Sequence, residues 1–166
     1  MSAFVIVSVL QGFFILVDEF FFHMRRGLPR WERIGHPVDT ATVIACLLFL
    51  YFTEPTPLNT GIYYAMAIAS CLCVTKDEWV HIKVCTAAEM WLHAVLFMLH
   101  PFVLFTAMNE WQTSKPMFLV VASGVGVFFV YQVIYWNFIE AKLRHHVQES
   151  RHRHFTKEEL YEYFGE

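Results

Sequence analysis

The feature that most constrains this chain is a recurring length. Five times the sequence runs through roughly 16 to 25 mostly apolar residues and then breaks into a short charged or Pro-rich segment. A helix needs about 20 such residues to cross the hydrocarbon core of a bilayer. A helix or a closed barrel is also the only way to satisfy every backbone polar group in lipid. The stretches are 3–22, 37–53, 59–74 (running on toward 76–81), 84–108 and 117–138. They predict an all-α fold, a polytopic membrane helix bundle of about five transmembrane helices over residues 1–140. Residues 141–166 read as a cytoplasmic tail, in which Thr156 and Glu159 have the capping-box spacing of a short amphipathic helix. The first stretch has no basic segment before it and no small-residue cleavage site, so it is expected to stay as a helix rather than leave as a signal peptide.

Composition narrows the alternatives. Of 166 residues, 57% are hydrophobic and 16% charged, against about 25% charged in a soluble domain. Such a chain is too apolar for intrinsic disorder. Its four cysteines, Cys46, Cys71, Cys73 and Cys85, are too few for a disulfide scaffold and lack the C-x-x-C spacing of a zinc or redox pair, so they read as packing residues. A net charge of −3 and a pI of 6.3 argue against nucleic acid as a partner.

The basic residues orient the bundle. With five spans, Arg25, Arg26, Arg30, Arg33, Lys76, Lys83 and the five Lys and Arg of the tail share one face, and Lys115 alone falls on the other. The positive-inside rule makes the crowded face cytoplasmic, with the N-terminus outside and the C-terminus inside. An integral, multi-pass protein of the plasma membrane, or of a bacterial inner membrane, is expected. Gly27, Pro29, Gly35 and Pro37 punctuate the first cytoplasmic loop, 24–36, and Trp31 and Trp111 read as interfacial aromatics.

Ionisable residues inside such spans are costly and mark function. The first span carries Asp18, Glu19 and His23, the second opens on His36 and Asp39, the third ends in Asp77, Glu78 and His81, and the fourth carries Glu89 and His93. Glu19 and His23 are four apart, as are Glu89 and His93, and Glu78 and His81 are three apart, so each pair shares a helix face. All lie at similar depth near one membrane face. Carboxylate with imidazole and without thiolate suits iron, manganese or zinc. The metal ligands expected are Glu19, His23, Asp39, Glu78, His81, Glu89 and His93. Asp18, His36, Asp77 and Tyr135 are expected as supporting or alternative ligands. In ligand type and spacing the set resembles the di-metal carboxylate helix bundles, although only Glu78–His81 has their Glu-x-x-His spacing. That resemblance implies two metal ions, with iron first and zinc the alternative.

Other polar residues read as structural. His100 lies about 10 Å beyond His93 along the helix and, beside Pro101, is expected at a kink near the outer face. His145, His146, His152 and His154 are expected on a solvated tail. Tyr131 and Tyr135 share a face of the fifth span.

The leading expectation is a membrane-embedded di-metal oxidase or oxygenase, acting on a lipid, quinone or other hydrophobic molecule that enters sideways from the bilayer. An electron-donor partner or a homo-oligomer would accompany it. A zinc hydrolase of a lipid amide or ester is the alternative. A non-enzymatic proton or ion carrier, or a subunit of a membrane complex, is the third.

Overall fold

The computed structural model describes residues 2–76, 78, 81, 82 and 85–140. All regular structure among them is helical. It forms five long helices, α1 (Ala3–Arg26), α2 (Arg30–Phe52), α3 (Pro57–Cys73), α4 (Ala87–Asn109) and α5 (Lys115–Ile139). Helices α1, α2, α4 and α5 have 24, 23, 23 and 25 residues and are apolar enough to cross a bilayer, as an integral membrane protein requires. Helix α3, with 17 residues, is at the short end of the usual range. The expected tail, with its capping box and four histidines, lies outside the described residues, and so does Asp77.

Local chemistry sets the helix starts. The Ser2 hydroxyl accepts the Val5 amide at 3.3 Å. Thr56 accepts the Asn59 amide at 3.2 Å, with Pro57 in the first helical position, where its missing N–H costs nothing. Thr86 and Glu89 form a reciprocal capping box at the start of α4. Gly27, at φ 74°, closes α1 in a conformation that a Cβ would strain.

Helix α2 begins earlier than expected. Residues 24–36 read as a loop, yet the helix starts at Arg30 and carries Pro37 in its interior. Proline removes one backbone donor there. Burial of Glu32, Gly35 and Pro37 against the bundle holds the preceding turns helical. His36 is therefore a mid-helix residue and caps nothing.

Helices pack antiparallel in the pairs α2–α3, α3–α4, α1–α4 and α2–α5. Thr42 and Ser70 join α2 to α3 at 2.7 Å, and the Tyr63 hydroxyl donates to the Leu104 carbonyl at 2.8 Å between α3 and α4. Asp18 meets His93 between α1 and α4, and Thr40 donates to Gln132 at 2.8 Å between α2 and α5. An apolar core of Phe4, Leu47, Leu50, Tyr63, Leu104 and Phe118 fills the end where α1 begins. The outer surface is also apolar: Val9, Leu72, Trp91 and Val127 are each more than 60% exposed. That surface would be a liability in water and is the expected one in lipid. Trp111, read as an interfacial aromatic, is instead buried, and its indole donates to the Thr53 carbonyl at 3.1 Å.

Glu110 clasps α1 to the end of α4. Its carboxylate accepts the Phe4 amide at 3.1 Å and the Ser114 hydroxyl at 2.6 Å. Partial burial opposes ionisation, but the hydrogen bonds from Ser114, the Phe4 and Ala3 amides and Ser2 outweigh it and hold the carboxyl below its ordinary 4.5. A depressed carboxyl adds stability above its unfolded pKa and loses it as pH falls through the folded value. Glu110→Gln is therefore expected to lower the thermal midpoint in detergent by about 2–4 °C at neutral pH. The gap between the two proteins should close on acidification below pH 4.5, which a pH series of melting curves measures.

Candidate metal centre

The centre begins with a change of helical pitch. Residues Asp18–His23 form a π turn within α1, closed by the Met24 amide on the Glu19 carbonyl. A wider turn brings residues five apart onto one face, so Asp18 joins Glu19 and His23 in pointing inward, and such turns recur at functional sites. All three are buried, at 6%, 2% and 1% exposure. A second π turn, Tyr135–Ile139 in α5, lies beside the first, and the buried Trp136 indole donates to Glu19 Oε1 at 2.6 Å.

Four imidazoles from four segments face one another. Ring centroids are 4.9 Å apart for His23–His36, 6.2 Å for His23–His93, 4.3 Å for His81–His93 and 6.4 Å for His36–His81, a closed ring. Asp18 sits against it, 3.1 Å from His93 Nε2 and 3.3 Å from His23 Nε2. His23 Nδ1 lies 3.4 Å from Glu19.

Two further acids are held by one cation. The Arg26 guanidinium donates to Glu89 Oε1 at 3.1 and 2.9 Å and to Glu32 Oε2 at 3.0 Å. Both acids are essentially inaccessible, and a buried carboxylate costs several kcal/mol, of order, unless it is paired. Glu89 also completes the α4 capping box, so one carboxylate serves the helix terminus and the centre. The sequence carries that signal as Thr86-x-x-Glu89.

Donor atoms of Asp18, His23, Glu89 and His93 all lie within 4.8 Å of one another, close enough to hold one ion. A second such group is His23, Glu32 and His36, and a third is His81, Cys85 and His93. The fit to a metal rests on atoms without hydrogen bonds. Among the described residues, His36 Nε2, both ring nitrogens of His81 and His93 Nδ1 are buried and have no hydrogen-bond partner, and His23 Nε2 has Asp18 at 3.3 Å but outside hydrogen-bond geometry. Buried polar atoms are nearly always satisfied, so such a group points to a ligand. Burial, with the His93 and His23 rings and Arg26 nearby, lowers the His81 pKa to about 4. The ring is therefore neutral, the form that ligates metal. Burial pushes the Cys85 thiol up to about 12, with Glu89 and Glu32 adding to the rise and Arg26 opposing it, so the thiol stays protonated.

The structure brings together most of the expected residues. Glu19, His23, His81, Glu89 and His93 converge, joined by His36 and Asp18 from the supporting set. Asp39 stands at the margin, paired with Lys76 at 2.6 Å. Glu78 is also marginal, its side chain 37% exposed and 3.9 Å from His81. Tyr135 does not touch the imidazole ring. It stacks on Tyr131 at 5.3 Å and packs edge-on against Trp136 at 5.0 Å. Glu32, Trp136 and the double engagement of Arg26 went unread, Glu32 because it lies in what looked like a loop.

A cavity of about 350 Å³ rises from this ring along the bundle axis. Asp18, His23, His36, His81 and His93 line its floor, and Val43, Leu47, Leu96 and Phe97 its walls. His100, expected at an outer kink, lines the same cavity and is 3% exposed, held by Ser70 at 2.9 Å and Gln11 at 3.2 Å. Pro101 is accommodated inside a continuous α4.

Arg26→Ala removes the guanidinium shared by two buried carboxylates, which is expected to cost about 3–5 kcal/mol and to lower the thermal midpoint sharply. Arg25→Ala is the control. Its guanidinium lies 3.8 Å over the exposed Phe21 ring, a contact worth about 0.5–1 kcal/mol. No family model matches the chain, and no curated protein or solved structure is detectably similar to it.

Proposed function

We propose that the acid–imidazole cluster is a metal centre holding two ions, iron first, and that the protein is a membrane-embedded oxidase or oxygenase of a hydrophobic substrate. The observation that carries this is the ring of four imidazoles beside Asp18, with buried ring nitrogens that have no hydrogen-bond partner among the described residues, at the floor of an apolar cavity. Asp18, His23, Glu89 and His93 would hold one ion, and His36 with Glu32, sharing His23, a second. Bound iron would supply the activation of oxygen, which protein side chains alone do not provide.

The chain's own residues do the rest. Trp136 fixes Glu19, and Glu19 orients His23 through Nδ1. Arg26 bonds to Glu89 and Glu32 and holds both carboxylates at the centre. The apolar walls exclude water from the reacting position. Placing one oxygen atom of O₂ in a C–H bond and releasing the other as water consumes two electrons and two protons, so an electron-donor partner belongs to this reading.

The same proposal places all five helices across the bilayer, α3 included, with the centre at the cytoplasmic headgroup level. Arg25, Arg26, Arg30, Arg33 and Lys76 stand at the centre's end of the bundle, while Lys115 pairs with Glu54 at the other.

A zinc hydrolase is the second reading. It is favoured by Arg26, which already engages Glu89 and Glu32 and leaves a donor set of Asp18 and histidines suited to a single zinc. Metal analysis of detergent-purified protein decides between them. About two irons per chain is the expected result, and one zinc moves the assignment to the hydrolase. Asp18→Ala and His93→Ala should each lose metal while remaining in the membrane fraction, and Glu78→Ala should keep it. Full metal content in both of the first two variants, or no metal in the native protein, defeats the proposal.

A further inference from the structure

We propose that a single apolar lipid chain reaches the cavity sideways from the bilayer, through a glycine-lined window between α1 and α5. This rests on the reading that the centre acts on a hydrophobic substrate, and it specifies the route and the part of the substrate that enters.

Helices α1 and α5 run parallel and touch at their two ends. Near the start, the Phe4 and Phe118 rings meet edge-on at 5.0 Å. Near the centre, Phe20 lies 5.9 Å from Tyr131, and Trp136 bonds to Glu19. In that register Gly12 falls opposite Gly124 and Gly126. Between the two contacts the helices part, and both line the cavity, with Gly12 and Leu16 from one side and Gly124, Val125 and Phe128 from the other. A Cβ added at Gly12 or Gly124 would meet nothing within 4 Å. Among the residues lining the cavity, those that are also exposed on the outside are Leu16 and Gly124, one from each helix. The cavity therefore opens at this seam.

The position of the window identifies what passes. It lies midway along two spanning helices, at hydrocarbon depth, where a headgroup or a water-soluble molecule does not partition. The walls are aliphatic and aromatic, and the volume is near the lower end of ligand pockets, about 300–1,000 Å³. At mid-height Gln11 and Ser70 occupy both nitrogens of His100, while nearer the start of α1 the Ser8 hydroxyl lines the cavity without a hydrogen-bond partner among the described residues. An extended acyl-type chain fits these walls, and it would lie with its methylenes over the unpartnered ring nitrogens of the floor.

The test uses the full chain in nanodiscs of phosphatidylcholine carrying a photoreactive diazirine on one acyl chain, with adducts mapped by mass spectrometry. The expected result is labelling of chamber residues Val43, Leu47 or Leu96 in addition to bilayer-facing Phe13 and Val127. In Gly12→Leu/Gly124→Leu the chamber adducts should be lost, with the outer adducts and the metal content unchanged. Adducts confined to the outer face of the native protein overturn the inference, and so does undiminished chamber labelling in the folded double variant. If that variant does not fold, as size exclusion would show, the native map still decides. Chamber labelling in a protein that holds no metal would defeat the metal assignment and leave the window standing.

Discussion

The imidazole end of this bundle depends on how a few buried carboxylates are paired among apolar helices. Arg26 is the main device. It leaves α1 just before the Gly27 turn and places one guanidinium between Glu32 of α2 and Glu89 of α4. Three helices that carry no mutual backbone bonds are thereby joined through a single planar fork, whose geometry suits two carboxylates. Asp18 and Glu19 are handled differently, by imidazole and indole donors. Positive charge is concentrated on one side of the imidazole ring, and the other side is left to open on the cavity.

The two π turns explain how so many polar groups arrive at one level. In a regular helix Asp18 and Glu19 would diverge by about 100°, and one of them would face lipid. The widened turn buries both and the histidine that follows. The matching turn in α5 sets Trp136 inward at the same height while Phe138 and Ile139 stay outside. The opposite end is closed by ordinary means: an aromatic and aliphatic core, a tryptophan on a free carbonyl, and a carboxylate over the first amides of α1. The two ends of the bundle are thus held together by different means, and the cavity lies between them.

Much of this could be read from the residues in order. Five apolar lengths predict five spans; among the described residues four helices are long and apolar enough to cross a bilayer, and α3, α4 and α5 begin and end within a few residues of expectation. The convergence of His23, His81, Glu89 and His93 was legible because charge in such spans is too costly to be incidental. What was not legible depends on departures from the α period or on distant contacts. Asp18 ranked below Glu19 because an α-helical spacing pairs Glu19 with His23, and no local signal announces a π turn. Glu32 was hidden by Gly35 and Pro37, which mimic a loop until tertiary burial overrides them. His100 was set aside on distance along one helix, whereas a cavity along the bundle axis makes that distance irrelevant.

The widened turn in α1 also fixes the length of its segment. It holds one more residue than an α-helical turn needs, within the sequence Asp18-Glu19-Phe20-Phe21-Phe22-His23. Loss of any one of the three phenylalanines would let the helix close to its usual pitch while the flanking turns keep their heading, because the bulge alone takes up the extra residue. Asp18, Glu19 and His23 could then no longer all turn inward, and the acid–imidazole cluster would lose a member while the contacts of Phe4 and Arg26 stayed in place. The segment therefore tolerates changes of side chain far better than changes of length.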